Sequence, residues 1–390
     1  MGPLLRHPTC GVPAGGAGSP GEYTQSRPSA RPDGLLTSGT MRIRTFIQRL
    51  RAAGAKPCHE DALLRMWVRA VGSESGHGRP DEFFPTTLRY HLPAWRAQCD
   101  GLVRMVSRHP AEDASERLLL ALADGRTIES VLLPRGGLCV STQVGCAVGC
   151  TFCMTGRDGL LRQLGSAEIV AQLALARRFR AVSKVVFMGM GEPAHNLDNV
   201  FEAIELIAHH GAIAHKNLVV STVGDRRLFE RLARTPVRPA LALSLHTTKA
   251  ALRRELLPRA AELAPSELVD LAEAYARLSR YPVQVQWTLI EGVNDGDDEV
   301  EALVDLLAGK YMVLNLIPVN RVDGGTLRRP SAERAAAMSL ALYRRGVLTK
   351  LRDSAGQQVD AGCGQLRARQ PVIPLAPLRP IETPATPRVS

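Results

Sequence analysis

The chain is 390 residues long, enough for one large domain and a smaller one. Its 45 % hydrophobic content is ordinary for a globular protein, and no run of about 18 uncharged apolar residues occurs, so no membrane span is expected. A net charge of +11 favours a polyanionic partner, usually RNA or DNA, although a basic proteome explains it equally well and no block of Lys or Arg stands out as a binding tail.

Residues 1–40 are rich in Gly, Pro, Ser and Thr without an apolar period, and read as a disordered extension. They lack a charged start before an apolar core, so they do not read as a secretory signal, and a cytoplasmic location is the default. Met41 opens an amphipathic run to Leu50 and is the expected working start; mass spectrometry of the native protein tests this, an intact Met1 terminus being the contrary result. Helices are expected from residue 41 to about 100, around Trp67 and Trp95, with a Gly/Pro break at Gly72–Pro80. Residues 41–114 therefore read as a small, mostly helical accessory domain. Arg117–Ala123 and Thr127–Leu133 are strand-like, and Asp124-Gly125 between them is a hairpin signal, so residues 115–137 form a β-hairpin.

From Leu138 apolar strands alternate with helical stretches. The predicted strands are Leu138–Gln143, Lys184–Met188, Asn217–Thr222, Ala240–Leu245, Val283–Leu289 and Met312–Ile317, with Val347–Leu351 as a late strand that closes the sheet. Between them lie helical periods at Ser166–Phe179, Leu197–His209, Leu228–Arg234, Pro265–Leu278, Asp297–Leu307 and Ser331–Arg345. Such alternation implies a parallel sheet with right-handed crossovers. The fold class is α/β: a partial (β/α)6 barrel over residues 138–370, ending in a catalytic loop, with a flexible tail at 371–390. Barrel chemistry sits at the C-terminal ends of the strands.

Eight cysteines occur, and Cys139, Cys146, Cys150 and Cys153 crowd into fifteen residues, which points to metal or redox chemistry rather than a disulfide framework. Cys146-Ala-Val-Gly-Cys150-Thr-Phe-Cys153 follows the first barrel strand as a C-x3-C-x2-C loop. Three thiolates on one loop can hold three irons of a [4Fe–4S] cube and leave the fourth open. The open iron can chelate the amino and carboxylate groups of S-adenosylmethionine, and an electron passed to the sulfonium yields a 5′-deoxyadenosyl radical. Zinc is the alternative, but it prefers four ligands in paired spacings, and no matching pair follows.

Val185-Val-Phe-Met-Gly-Met-Gly191-Glu192-Pro193 ends the next strand in a glycine-rich turn, where the backbone can approach a ligand and Glu192 adds negative charge. Other strand ends carry Ser221, the Ser244-Leu245-His246 run and Asn320, which in a barrel converge on one mouth; each singly reads as well as strand-end capping, and His246 as a core histidine. Cys139 lies seven residues before the cluster loop, and Cys363 lies near the end between two glycines. Both read equally as buried thiols, although a thiol in a Gly-flanked loop invites a reactive role.

The cysteine loop and the Gly-Glu turn together resemble the signature of the radical S-adenosylmethionine superfamily. Over about residues 115–370 the sequence closely resembles the dual-specificity rRNA/tRNA adenine-C2 methyltransferases and their antibiotic-resistance relatives, which methylate adenine C8. The segments that carry the likeness are Leu138–Cys146, Val185–Pro193, Leu241–His246, Gly292–Asp295, Asn315–Asn320 and Cys363–Leu366. The resemblance implies that Gly191, Glu192, Ser221, Ser244, Leu245, His246 and Asn320 contact S-adenosylmethionine. It also implies a two-cysteine mechanism. Adenine C2 is electron-poor and has no lone pair, so it cannot take methyl in a polar step. Cys363 first takes a methyl group as a thiolate. The radical then removes a hydrogen from that S-methyl, and the carbon radical adds to adenine. Glu129 accepts the ring proton, and Cys139 attacks the Cys363 sulfur, releasing product and leaving a disulfide. The implied partners are RNA, an electron donor such as flavodoxin or ferredoxin, and a disulfide reductant; a monomer is expected.

Three departures from the family pattern place the chain in a divergent branch of probable RNA methyltransferases. Met154 follows the last cluster cysteine where Ser is usual, the Thr349–Asp360 segment differs, and the loop between Glu129 and Cys139 is shorter. The target base need not then be the usual one. Arg42, Arg44, Arg49 and Arg51 are candidate phosphate contacts, or a solvated helix face. A radical activase of another class would have no use for the Cys139/Cys363 pair, and an inactive paralogue would not need all five cysteines.

Overall fold

The computed structural model describes residues 41–70 and 83–367. The expected extension at 1–40, the Gly72–Pro80 break and the tail at 371–390 lie outside the described residues. A ten-stranded sheet organises the chain. It begins with an antiparallel meander, β1 (Val103–Pro110), β2 (Glu116–Leu122) and β3 (Thr127–Leu133), which passes antiparallel to β4 (Gly137–Cys139). Six more strands then run parallel to β4: β7 (Lys184–Phe187), β8 (Leu218–Thr222), β9 (Ala240–Ser244), β10 (Val283–Leu289), β11 (Met312–Pro318) and β12 (Thr349–Leu351). Among the described residues β1 and β12 do not pair, so the barrel stays open. A separate two-stranded ribbon, β5 (Gln143–Gly145) with β6 (Leu160–Gln163), brackets the cysteine loop.

Alternation along each strand decides which side chains face the barrel interior. In β10, Val283, Val285, Trp287 and Leu289 are buried, while Gln284, Gln286 and Thr288 between them are half-buried. The first set packs outward beneath the helices; each such side chain, fully buried, contributes about 1.5–3 kcal/mol. Thr288 and Gln286 face the cavity described below. The predicted helices at Leu197–His209 and Asp297–Leu307 form over those residues, and the others differ at their ends.

The structure departs from the sequence reading in three places. The strand expected at Leu138–Gln143 stops at Cys139, because the Gln172 side chain takes both backbone groups of Ser141: its Oε1 accepts from the amide at 2.9 Å and its Nε2 donates to the carbonyl at 2.9 Å. The chain is peeled from the sheet there and feeds the ribbon. A strand, β1, lies past the expected helices, within residues 41–114 that were read as a mostly helical domain. A short helix at Ala250–Leu256 was not anticipated.

The N-terminal helices α1 (Ile43–Ala52), α2 (Pro57–Arg69) and α3 (Thr86–Gly101) lie against α4 (Ser166–Ala176) and α5 (Leu197–His209) of the barrel. Phe46 stacks on Trp67 with ring centroids 5.9 Å apart, and both belong to the same apolar core as the barrel helices. Polar ties reinforce the contact: the Ile43 amide donates to Ser166 Oγ at 2.9 Å, and Arg177 Nη1 donates to the Val68 carbonyl at 3.0 Å. Arg42 pairs with Glu202 at 3.2 Å and Arg51 with Glu60 at 2.7 Å, so these two candidate phosphate contacts are engaged within the protein. Among the described residues no helix is long and apolar enough to cross a membrane.

Candidate active site

Strand ends and two loops bring the singled-out residues to one cavity. Its lining includes Cys146, Cys150 and Cys153 from the loop after β5, Gly191 and Glu192 from the turn after β7, Ser221 from β8, Ser244 and His246 from the end of β9, and Cys363. Leu245, Asn320 and Glu129 are buried and do not line it.

The turn at Gly191 has φ +107°, and a Cβ there would meet the Gln143 side chain at 2.6 Å, so only glycine fits. Gln143 Oε1 in turn accepts from the Glu192 amide at 2.8 Å. The Glu192 carboxylate is fully engaged: Thr222 Oγ1 donates to it at 2.6 Å, the Val223 amide at 3.0 Å and the Ala194 amide at 3.0 Å. Burial raises its pKa, and those hydrogen bonds oppose the rise.

His246 carries the left-handed φ of +64°, unusual for a residue with a side chain. Its carbonyl accepts from Asn294 Nδ2 at 2.7 Å, and its Nδ1 accepts from the Thr288 amide at 2.9 Å. Nδ1 is thus an acceptor, and the ring is neutral: burial pushes the pKa down to about 3, helped by Arg253 nearby. Phe152 of the cysteine loop meets the His246 ring edge-on at 4.9 Å.

The three loop cysteines suit an iron–sulfur cube better than a zinc ion. Among the described residues no group of three or more His, Cys, Asp and Glu is arranged to hold a metal ion, as a four-ligand zinc site would require. A cube has its irons at separate corners and takes thiolates from points set apart. Burial pushes the Cys146 thiol up to about 12, and burial, then Cys153 and Cys146, also raises Cys150. Such thiols give up protons only to incoming positive charge, which iron brings. The loop itself is tight: a Cβ on Gly156 would lie 2.7 Å from the Gly149 backbone, which explains glycine where the loop doubles back after Met154.

Cys363 and Cys139, far apart in sequence, lie near enough for one thiol to act on the other. Cys363 is open to solvent in the cavity mouth yet crowded by protein on its remaining sides, and this desolvation raises its pKa. Cys139 is buried; burial, and then the Cys363 thiol, pushes it up to about 12. The Cys363 loop is seated by Asn320, whose Nδ2 donates to the Cys363 carbonyl at 2.9 Å and to Ser354 Oγ at 3.0 Å. It is tied to the cluster loop as well: the Met154 amide donates to the Gly364 carbonyl at 2.7 Å, and Thr155 Oγ1 to the Leu366 carbonyl at 2.6 Å. Glu129 is fully buried, pairs with Arg117 and accepts from the Arg367 amide at 2.8 Å, four residues beyond Cys363. Sequence reasoning did not single out Gln143, Phe152, Asn294 or Arg253; the first three lie inside quoted motifs and Arg253 in none, and their roles depend on contacts across the fold.

Comparison with known proteins agrees with this geometry. Residues 140–307 match the model of the radical SAM superfamily. A probable RNA methyltransferase of Leptothrix cholodnii is 66 % identical over 330 residues, covering 85 % of this chain and 95 % of that protein. One from Pseudomonas aeruginosa is 60 % identical over 331 residues, covering 84 % and 96 %. The crystal structure of a radical SAM methyltransferase from Sphaerobacter thermophilus superposes with a TM-score of 0.75 at 33 % identity, over 84 % of this chain and 98 % of that one. With matches of this extent to curated sequences and to a solved fold, the chain belongs to the radical SAM superfamily and, within it, to the family of probable RNA methyltransferases.

Proposed function

We propose that this enzyme methylates a ring carbon of adenine, C2 rather than C8, in rRNA or tRNA, with Cys363 as the methyl carrier and Cys139 as the resolving thiol. Its cofactors are those of the superfamily, a [4Fe–4S] cluster and S-adenosylmethionine. Cys146, Cys150 and Cys153 are the proposed cluster ligands, and Gly191, Glu192, Ser221, Ser244, Leu245, His246 and Asn320 the proposed surroundings of S-adenosylmethionine. When bound, these groups supply the radical that takes hydrogen. The observation that carries the reading is that Cys363 lines the cavity of the cluster cysteines and that the buried Cys139 lies near enough for its thiol to feel the Cys363 sulfur.

The chain's own residues then divide the work. Cys363 loses its S–H proton and takes a methyl group from one molecule of S-adenosylmethionine, which leaves as S-adenosylhomocysteine, so that Cys363 becomes a thioether. After the methyl carbon is joined to adenine, the adduct gives up its unpaired electron and a base takes the ring proton, which restores the aromatic ring; the family resemblance gives the proton to Glu129. Cys139 attacks the Cys363 sulfur, the S–C bond breaks toward the product, and a Cys139–Cys363 disulfide remains. Two electrons from an external thiol reductant reopen it. An electron donor of the flavodoxin or ferredoxin class, a cytoplasmic location and a monomeric state complete the proposal.

RNA reaches the cavity as a single strand or with its target base unstacked, because the C2 edge is hidden in a helix. Exposed Arg157, Arg259 and Arg321 lie beside the cluster loop and the Cys363 loop and are the proposed phosphate contacts there, with residues 41–114 as accessory grip. The test combines two variants. Cys363→Ala is expected to abolish RNA methylation while reductive cleavage of S-adenosylmethionine survives, and Cys139→Ala to accumulate a covalent protein–RNA adduct. Methylation by Cys363→Ala would refute the mechanism. Mass spectrometry of rRNA and tRNA from a deletion strain, scored for missing 2-methyladenosine or 8-methyladenosine, tests the base position.

A further inference from the structure

Arg253 lies on the short helix at Ala250–Leu256, which packs against the cysteine loop. The Thr151 amide donates to the Leu256 carbonyl at 3.0 Å, and the Arg259 amide to the Val148 carbonyl at 3.2 Å. Leu256 and Leu257 share a small apolar cluster with Cys146, Val148 and Val223, and Cys150 and Phe152 pack on it. Arg253 is 4 % exposed. One nitrogen, Nη2, donates to the Val223 carbonyl, and the Val223 amide donates to Glu192. The other two, Nε and Nη1, are buried without a hydrogen-bond partner.

A guanidinium in this state is costly. A buried charge left unpaired is strongly destabilising, and each unsatisfied buried donor adds to the cost. No carboxylate is within salt-bridge distance of it among the described residues. The negative groups that bear on it are the Cys150 sulfur and, next, Glu192. Glu192 already accepts from three donors of the chain, none of them Arg253. Cys150 as a thiol carries no charge, but as an iron ligand it is a thiolate, and three such ligands leave the reduced cluster site anionic. Arg253 does not itself line the cavity; it lies against the wall that Val223 and His246 form with the cysteine loop.

We infer that Arg253 is a positioning residue for the cluster: it donates from Nε and Nη1 to the thiolate side of the Cys146–Cys153 loop, balances the negative charge there, and so favours the reduced state. The inference rests on the assignment of the three cysteines as ligands and not on the RNA reaction. Charge and hydrogen bonds around cluster sulfurs set reduction potential, so removal of a cation lowers it.

The test uses the full chain, reconstituted anaerobically with iron and sulfide, and reads the midpoint potential by EPR-monitored titration without S-adenosylmethionine. Failure of the unaltered protein to form a cluster would refute the ligand assignment itself, separately from the role of Arg253. With the cluster formed, Arg253→Gln is expected to shift the potential to a more negative value, and Arg253→Lys to restore most of the shift. If Arg253→Gln holds no cluster while Arg253→Lys does, the need for positive charge is met at assembly and the inference stands. An unchanged potential in Arg253→Gln, or a shift that Lys does not reverse, overturns it. Equilibrium dialysis with S-adenosylmethionine closes the alternative: weaker binding with an unchanged potential would move Arg253 to the methionine carboxylate and also overturn the inference.

Discussion

Cys363 and Cys139 carry the same functional group in opposite settings, and the difference is measurable. A thiol with a pKa of about 12, as burial gives Cys139, is ionised at pH 7 to about one part in 100,000. In cluster-free protein, alkylation followed by peptide mass spectrometry is expected to modify Cys363 rapidly and Cys139 only on unfolding. Because the Cys363 pKa is raised, its labelling rate should climb about tenfold per pH unit through neutral pH and keep climbing past the range of an ordinary thiol. A plateau at or below pH 8, or equal labelling of the two thiols, contradicts the burial described. At this scale the sequence was informative where spacing is local, as in Cys146, Cys150, Cys153, Gly191 and Glu192. It was silent on Arg253 and Gln143, whose partners lie on other elements.

The segment that bears Cys363 is an element without regular secondary structure, and its place depends on a few polar ties. Glu129 is one of them, through Arg117 and the Arg367 amide, while Arg117 Nε also donates to the Val359 carbonyl at 2.6 Å. Glu129→Ala leaves the Arg117 guanidinium buried without its carboxylate and is expected to cost about 3–5 kcal/mol of stability. Glu129→Gln keeps a hydrogen-bond acceptor and should cost distinctly less, as read by thermal or denaturant unfolding. If Glu129→Gln is near-native in stability yet accumulates the RNA adduct, the proton-acceptor role is supported; if activity falls only in step with stability, the residue holds the loop and does no proton transfer. The elements themselves were legible wherever apolar period was strong, as in Leu197–His209. They were misread where a side chain overrode the backbone, as Gln172 does at Ser141, or where a strand such as Val103–Pro110 owes its state to pairing with Glu116–Leu122. Strand propensity is weak where the partner decides.

Across the whole molecule one apolar core runs from Phe46 and Trp67 to the barrel helices, so the N-terminal helices and the barrel are expected to unfold together. Trp67→Ala removes a stacked, nearly buried ring and should lower stability by about 3–5 kcal/mol while calorimetry still shows a single transition. Two separated transitions in the unaltered protein would contradict a shared core. The alternation of strands and helices made the barrel legible in the sequence, whereas the shared core was not, because contact between α2 and α4 leaves no periodic trace. The seating of Cys363 has a consequence for RNA. With its carbonyl held by Asn320 and its neighbours bonded to the cluster loop, the methyl-bearing sulfur has little travel. On the proposed reaction the nucleotide must therefore make the journey, and the energy of its unstacking falls on the RNA. Sites would then be chosen as much by how readily a strand yields as by the letters it spells, so that pliant loops outcompete identical sequences locked in a duplex.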